Sequence, residues 1–382
     1  MTDSPGKQPT AGGPAKPGAL PDAAPTPPAA TRLRGDRILL GHGSGGRLYR
    51  DLVSEVFVAA FSNPVLERLD DAAILASPGR LAVTTDSHVV QPLRYPGGDI
   101  GRLSVAGTVN DLATAAARPL ALAAAFIIEE GFALDELRAI CRTMRETADE
   151  AGVPIVTGDT KVVERGACDG VFITTTGVGE VVVDHELGAA AVREGDHVLL
   201  SGGIGNHAVA ILAARGEFEL KTDVVSDCAP LWGMVEGVVE ALGGGAEGAA
   251  DADPPATTAL RFLRDPTRGG LTTVLAELAE GAGLGVEIVE DAVPIAPGVR
   301  AVCDLLGYDP FALANEGKML FVVAPEASER VLAALRAHVY GRDAAVIGAV
   351  TAAHPGRVAL RTPFGTRRVL DMPAGELLPR IC

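Results

Sequence analysis

The chain has 382 residues, 47% of them hydrophobic, more apolar material than one core usually holds, so two domains are expected. A formal charge of -16 argues against a nucleic-acid surface, and no uninterrupted apolar run is long enough to span a bilayer. The five cysteines, Cys141, Cys168, Cys228, Cys303 and Cys382, are odd in number, widely spaced and without a CxxC, which fits a reduced cytoplasm better than a disulfide framework or a zinc site.

Residues 1–33 are rich in Pro, Ala and Gly and offer nothing periodic to bury, so they read as a disordered leader; the apolar core of a signal peptide is missing. Residues 34–185 form a first domain. Short, partly β-branched apolar stretches at 37–40, 81–85, 120–128 and 171–178 predict strands, and helical spacing predicts helices over 47–61, 99–117 and 134–151. Residues 190–365 repeat the mixture, with strands at 197–200, 286–289, 319–323, 345–350 and 357–360 and helices at 205–215, 229–242, 270–281 and 328–338. Residues 243–255, rich in Gly, Ala, Asp and Pro, read as a surface insertion. Residues 366–382 read as a flexible tail, stiffened locally by Pro373 and Pro379. The whole is an α/β (α+β) chain of two similar-sized lobes.

Gly41-His42-Gly43-Ser44-Gly45-Gly46 lies between a predicted strand and helix and formally matches GxGxxG. A dinucleotide fold would then need a second strand ending in an acidic residue, but Asn63-Pro64 breaks the helix and Asp70-Asp71-Ala72-Ala73 follows. The loop therefore reads as a mobile cover for phosphates. Ser201-Gly202-Gly203-Ile204-Gly205-Asn206-His207 is a second strand-to-helix turn, either an anion site or a structural turn. No GxxxxGK[ST] occurs, which excludes a P-loop.

Acids recur where elements are expected to end: Asp70-Asp71, Asp86 after Thr84-Thr85, Asn110-Asp111, Asp159 within Thr157-Gly158-Asp159-Thr160-Lys161, and Asp265 before Pro266-Thr267-Arg268. Each alone reads as a cap or a solvated loop residue. Together they suit magnesium, which takes hard oxygen ligands and keeps several waters. The chain closes on Pro379-Arg380-Ile381-Cys382. A frayed end is the plain reading of this segment; the chemical one is a thiol on a short arm, a good nucleophile able to carry a covalent group between two sites.

These segments together resemble the ATP-binding superfamily of phosphoribosylformylglycinamidine cyclo-ligase (aminoimidazole ribonucleotide synthetase), selenide water dikinase and thiamine-monophosphate kinase. Within it the chain is most similar to the HypE family, the carbamoyl dehydratases of hydrogenase maturation. The resemblance is carried by the loop from Gly41 to Gly46, Thr85-Asp86-Ser87-His88, Pro96-Gly97-Gly98-Asp99-Ile100-Gly101, Asn110-Asp111, Glu129-Glu130-Gly131, Val156 to Val163, Ser226-Asp227-Cys228, Arg264 to Gly270, Ala314-Asn315-Glu316-Gly317-Lys318 and the terminal Pro379 to Cys382. The first glycine loop lacks the reactive cysteine or selenocysteine expected of a selenide water dikinase.

The resemblance implies that a carbamoyltransferase of the HypF kind loads Cys382 and that ATP then activates the carboxamide oxygen. A thiocyanate remains on the sulfur, and its cyanide passes through a HypC and HypD iron-carrying scaffold complex to nickel-iron hydrogenase. It implies Glu316 as base, Lys161 as charge stabiliser and His88 as proton relay. Their plain readings are a loop acid, a surface lysine and a satisfied strand-end histidine. It further implies Mg-ATP held by Asp71, Asp86, Asp111, Asp159 and Asp265, with Asn110, Gly158 and Thr160 near the nucleotide and Gly43, Ser44 and Gly45 over the phosphates. The implied fold is a homodimer whose amino-terminal strands form a shared barrel, flanked by carboxy-terminal α/β domains, with ATP beside the interface. Two other functions fit the residues: a small-molecule kinase or cyclo-ligase of the same superfamily, and a non-catalytic scaffold gated by ATP.

Overall fold

The computed structural model describes residues 36–39, 42, 51–64, 66, 79–216, 218–243, 256–372, 378 and 380–382. The predicted leader, the glycine loop through Gly43, Ser44 and Gly45, Asp71 and most of the 243–255 insertion lie outside them.

The first lobe runs β1 (Leu81–His88), a two-stranded turn of β2 (Arg94–Tyr95) and β3 (Gly98–Asp99), helix α1 (Ile100–Thr114), β4 (Ala117–Glu129), helix α2 (Leu134–Ala151), β5 (Ile155–Val163) and β6 (Val171–Val181). Four strands form one sheet in the order β1-β6-β4-β5. β4 and β5 are parallel, as the α2 crossover between them requires, while β6 is antiparallel to both β1 and β4. Leu134, Leu137, Ile140, Cys141, Met144 and Ala148 recur every three or four residues and bury one stripe of α2, which stops at Gly152 with φ 68. α1 is buried on nearly every side, from Ile100 to Ala113, because the sheet, α2 and the second lobe all pack on it. Asp99 caps it, its side chain accepting from the Arg102 N–H at 2.9 Å.

Among the described residues the helices cover only one face of this sheet. On the other, Leu81 and Val83 stand 51% and 68% exposed, too much apolar area for a face built to meet water. The strand expected at 37–40 is reduced to one bridge, Arg37 with Ala133. The helix expected over 47–61 is seen as a π-helical turn, Val53–Val58, running into Ala59–Phe61.

The second lobe holds β7 (His197–Leu200), α3 (Asn206–Arg215), α4 (Trp232–Ala241), β8 (Leu260–Arg264), α5 (Gly270–Ala282), β9 (Gly285–Val289), α6 (Pro297–Leu306), β10 (Leu320–Val323), α7 (Ser328–Ala337), β11 (Ala345–Thr351), β12 (Val358–Arg361) and β13 (Arg367–Leu370). Seven strands form a mixed sheet in the order β13-β12-β9-β11-β7-β10-β8. β10 is buried at every residue, and its unbroken Leu-Phe-Val-Val run is what a strand covered on both faces needs. No helix among the described residues is long and apolar enough to cross a membrane.

Candidate functional site

The seam between the lobes gathers the acids. β1 directs Thr84, Asp86 and His88 toward α1, where Thr84 Oγ1 donates to Asp111 Oδ2 at 2.8 Å. His88 is buried, with Nε2 3.7 Å from Asp86 Oδ2 and 3.5 Å from Thr175 Oγ1. A Cβ on Gly107 would stand 3.1 Å from His88 Cε1 and 3.4 Å from Asp86 Oδ2, so strand and helix approach this closely because position 107 carries no side chain. The second lobe adds Asp265, between β8 and α5, and Glu316, just before β10; both are buried.

Electrostatics follow from this crowding. Burial first, then the charges of Asp265, Asp86 and Asp227, push the Glu316 carboxyl well above the usual range. Burial and then Asp111 push Asp265 up to about 7, and burial raises Asp111. Burial lowers His88, against the pull of Asp86. Among the described residues, Glu316 Oε1, Asp227 Oδ2 and His88 Nδ1 are buried without a hydrogen-bond partner. Buried carboxyls that repel one another are a site awaiting positive charge or a proton to accept. No group of three or more His, Cys, Asp or Glu among the described residues is close enough to hold a metal ion by itself. Asp86, Asp111 and Asp265 still fit magnesium, which binds through one or two carboxylates together with waters and substrate phosphates.

Asn110, expected beside the nucleotide, is instead spent on the walls. Its Nδ2 donates to the carbonyls of Ala229 at 3.1 Å and Glu316 at 3.2 Å, and its Oδ1 accepts from the Leu231 N–H at 2.8 Å. It ties the Glu316 loop to α1. Gly317 lets the segment Ser226-Asp227-Cys228 lie against that loop, since a Cβ there would sit 1.7 Å from the Asp227 carbonyl oxygen.

The segment from Gly158 to Lys161 is placed elsewhere. Asp159 lies in the middle of β5, not at an element end, and Asp86 likewise lies within β1. Asp159 and Lys161 point to the uncovered face, 56% and 65% exposed, and pair with each other at 3.0 Å. The hydrogen bond from Lys161 holds Asp159 below its ordinary range. Thr160 points the other way and is buried. Gly158 has a packing reason of its own, because a Cβ there would be 2.2 Å from the Ala124 carbonyl oxygen. Within one chain, therefore, Asp86, His88, Asp111, Asp265 and Glu316 converge, while Asp159 and Lys161 do not join them.

The chain end is seated at the same seam. Ile381 is buried and Cys382 half-buried. The Val89 N–H donates to a terminal carboxylate oxygen of Cys382 at 3.1 Å, and Arg380 Nε donates to the Val89 carbonyl at 3.1 Å. Cys382 thus lies beside the residue that follows His88. Sequence reasoning missed two side chains that touch this tail, His207 and Arg215; the only signal was that His207 closes the second glycine turn.

Two family models match the chain: the N-terminal domain of the AIR synthase related proteins over residues 69–181 and their C-terminal domain over residues 193–361. The chain is 49% identical over 354 residues to the carbamoyl dehydratase HypE of Rhodobacter capsulatus, covering 92% of this chain and 99% of the relative. It is similar to a crystal structure of the hydrogenase maturation protein HypE in complex with ATP, with a TM-score of 0.83 and 45% identity over 90% of this chain and 99% of that one. It is also similar to a crystal structure of a HypE-HypF complex, with a TM-score of 0.71 and 42% identity over 84% of this chain and 99% of that one.

Proposed function

The chain belongs to the HypE carbamoyl dehydratases of the AIR synthase related family, and on that premise we propose that it uses ATP to dehydrate an S-carbamoyl group on its own Cys382 to a thiocyanate. The product supplies the cyanide ligands of nickel-iron hydrogenase. The observation that carries this reading is that the terminal Cys382 docks on Val89, the residue after His88, at the seam where Glu316, a buried carboxyl whose Oε1 has no hydrogen-bond partner among the described residues, feels the charge of Asp86.

The carboxamide oxygen of the loaded Cys382 attacks the γ-phosphorus of ATP and ADP leaves. The nitrogen then gives up two protons as the C–O bond breaks, releasing phosphate and leaving S–C≡N. An amide oxygen is a poor leaving group until phosphorylated, so both stages need the nucleotide and the tail together. Glu316 is the base, because burial raises its carboxyl and makes its carboxylate a stronger proton acceptor than an exposed one. His88, neutral and next to Asp86, passes that proton toward solvent. Asp86, Asp111 and Asp265 would hold magnesium, which when bound offsets the charge of the phosphates. Asp71 and the loop carrying Gly43, Ser44 and Gly45 complete the nucleotide site.

The uncovered face with Leu81 and Val83 supports a homodimer in which a second copy's sheet closes the barrel. Asp159 and Lys161 of one copy then face the nucleotide site of the other. A carbamoyltransferase of the HypF kind loads the tail, and a HypC and HypD complex takes the cyanide.

Mass spectrometry of the terminal peptide tests the reading. With the carbamoyltransferase, carbamoyl phosphate and ATP, the peptide gains a carbamoyl group and then loses water. A Cys382→Ala chain that still turns over ATP with a small metabolite would overturn it in favour of a kinase.

A further inference from the structure

Both ends of α3 reach the last residues of the chain. His207, in its first turn, is fully buried, with Nε2 2.8 Å from the Ile381 carbonyl oxygen and Nδ1 2.8 Å from Ser226 Oγ. A carbonyl only accepts, so Nε2 carries the proton and Nδ1 accepts from the Ser226 hydroxyl. Burial lowers His207 and favours this neutral ring, which the Tyr95 ring packs edge-on at 5.4 Å. Ser226 Oγ accepts in turn from the Cys228 N–H at 3.0 Å, so the direction of every bond from Cys228 to the tail is determined. The start of α3 is itself tied to the Glu316 loop, since Asn315 Oδ1 accepts from the Gly205 N–H at 2.7 Å.

At the far end of α3, Arg215 Nη2 donates to the Arg380 carbonyl at 2.9 Å and Nε to the Gln91 carbonyl at 2.9 Å. The Gln91 N–H reaches the same Arg380 carbonyl at 3.3 Å. The last three residues are thus gripped by their main-chain oxygens, with the Arg380 side chain adding contacts to Asp169 and to the Phe172 ring. Main-chain bonds do not sense what the sulfur carries. They act against a backbone preference as well, because Arg380 sits at φ 52, a left-handed conformation that is unfavourable for a non-glycine residue.

We propose that His207 and Arg215 are positioning residues for the reaction: a clasp on the main chain of the tail that seats Cys382 against Val89, next to His88, whatever its cargo, and that sets how often the sulfur is released to be loaded. The catalytic part of this inference rests on the proposed function; the clasp itself does not.

The test is pulse alkylation of Cys382 in the full chain, read on the terminal peptide. Losing the one hydrogen bond that His207 makes to the tail, in His207→Leu, should speed alkylation on the order of 5-fold. Arg215→Ala should do so comparably. His207→Gln, whose amide N–H can stand where Nε2–H stands, should stay near the unsubstituted rate. With the carbamoylated chain, His207→Leu should slow dehydration while carbamoyl loading and ATP affinity persist, a split that general destabilisation does not produce. Unchanged alkylation in both His207→Leu and Arg215→Ala would overturn the clasp, as would a Gln variant as fast as the Leu variant. Arg215→Ala, near the surface, carries the test if His207→Leu does not fold. Faster alkylation together with no dehydration in the unsubstituted chain would uphold the clasp and remove the proposed function instead.

Discussion

Asp86 and Lys161 project from opposite faces of one four-stranded sheet, Asp86 toward α1 and Lys161 toward the side the helices leave uncovered. Side chains on opposite faces of a pleated strand point apart, so the two cannot serve one nucleotide within one chain. If the sites lie between copies, Asp86→Asn and Lys161→Ala chains should each fail alone and complement when mixed. Half of the dimers would then be mixed, each with one intact site of two, giving about a quarter of the unsubstituted dehydration rate. No recovery on mixing, measured as terminal-peptide dehydration, would place both residues in one subunit's chemistry.

Glu316→Gln should leave the tail loaded and stalled at the carbamoyl stage. The amide keeps the shape of the side chain and the main-chain bond from Asn110, but it has no basic oxygen. Loss of a general base typically costs about 10²- to 10⁴-fold, so the rapid-quench rate of water loss should fall by that much while ATP affinity changes little. Dehydration at the unsubstituted rate would remove Glu316 as the base.

Much of this architecture was legible because the hydrophobic periods are strong. α2 and β7 fall on the predicted bounds, and the buried run of β10 reads as a strand without help. β5 was missed because Gly158, Asp159 and Lys161 interrupt its apolar pattern; Asp159 and Lys161 stand on the uncovered side, where nothing selects apolar residues, and at Gly158 the Ala124 carbonyl leaves no room for a side chain. α6 was missed although Pro297 at its start and Gly307 past its end are ordinary punctuation. The acids of the site were legible by residue type alone. Which face each would take was not, since that depends on strand register and on whether a helix covers the strand. Asn110 illustrates the limit: its amide suits a nucleotide as well as it suits three main-chain groups, and only the fold chooses.

Asn110→Ala should therefore act through stability more than through nucleotide contact. It leaves the carbonyls of Ala229 and Glu316 and the Leu231 N–H without this partner at a buried seam. At roughly 1–3 kcal/mol for each unsatisfied group, partly relieved by water, a loss of about 3 kcal/mol is expected. Denaturant unfolding should show it with ATP absent. A variant as stable as the unsubstituted chain but weak in ATP binding would return Asn110 to the nucleotide.

Asp265 gives the pH dependence its sign. Its carboxyl is pushed from an ordinary value of 3.8 up to about 7 in the folded chain by burial and by Asp111. Between those values the unfolded chain has lost this proton and the folded chain still holds it, so stability falls as pH rises through the window and levels off above it. At 1.36 kcal/mol per pKa unit the penalty reaches at most about 4 kcal/mol near pH 8. Asp265→Asn removes it, so the nucleotide-free variant should match the unsubstituted chain near pH 4 and exceed it near pH 8. Mg-ATP should reverse the order at pH 8, because positive charge brought to Asp265 stabilises the native carboxylate and does nothing for the amide. Thermal unfolding with and without Mg-ATP measures both arms. An Asn variant that gains nothing at high pH would mean that Asp265 is already ionised there without cost, and it would leave the acid cluster without its role as a site awaiting cations.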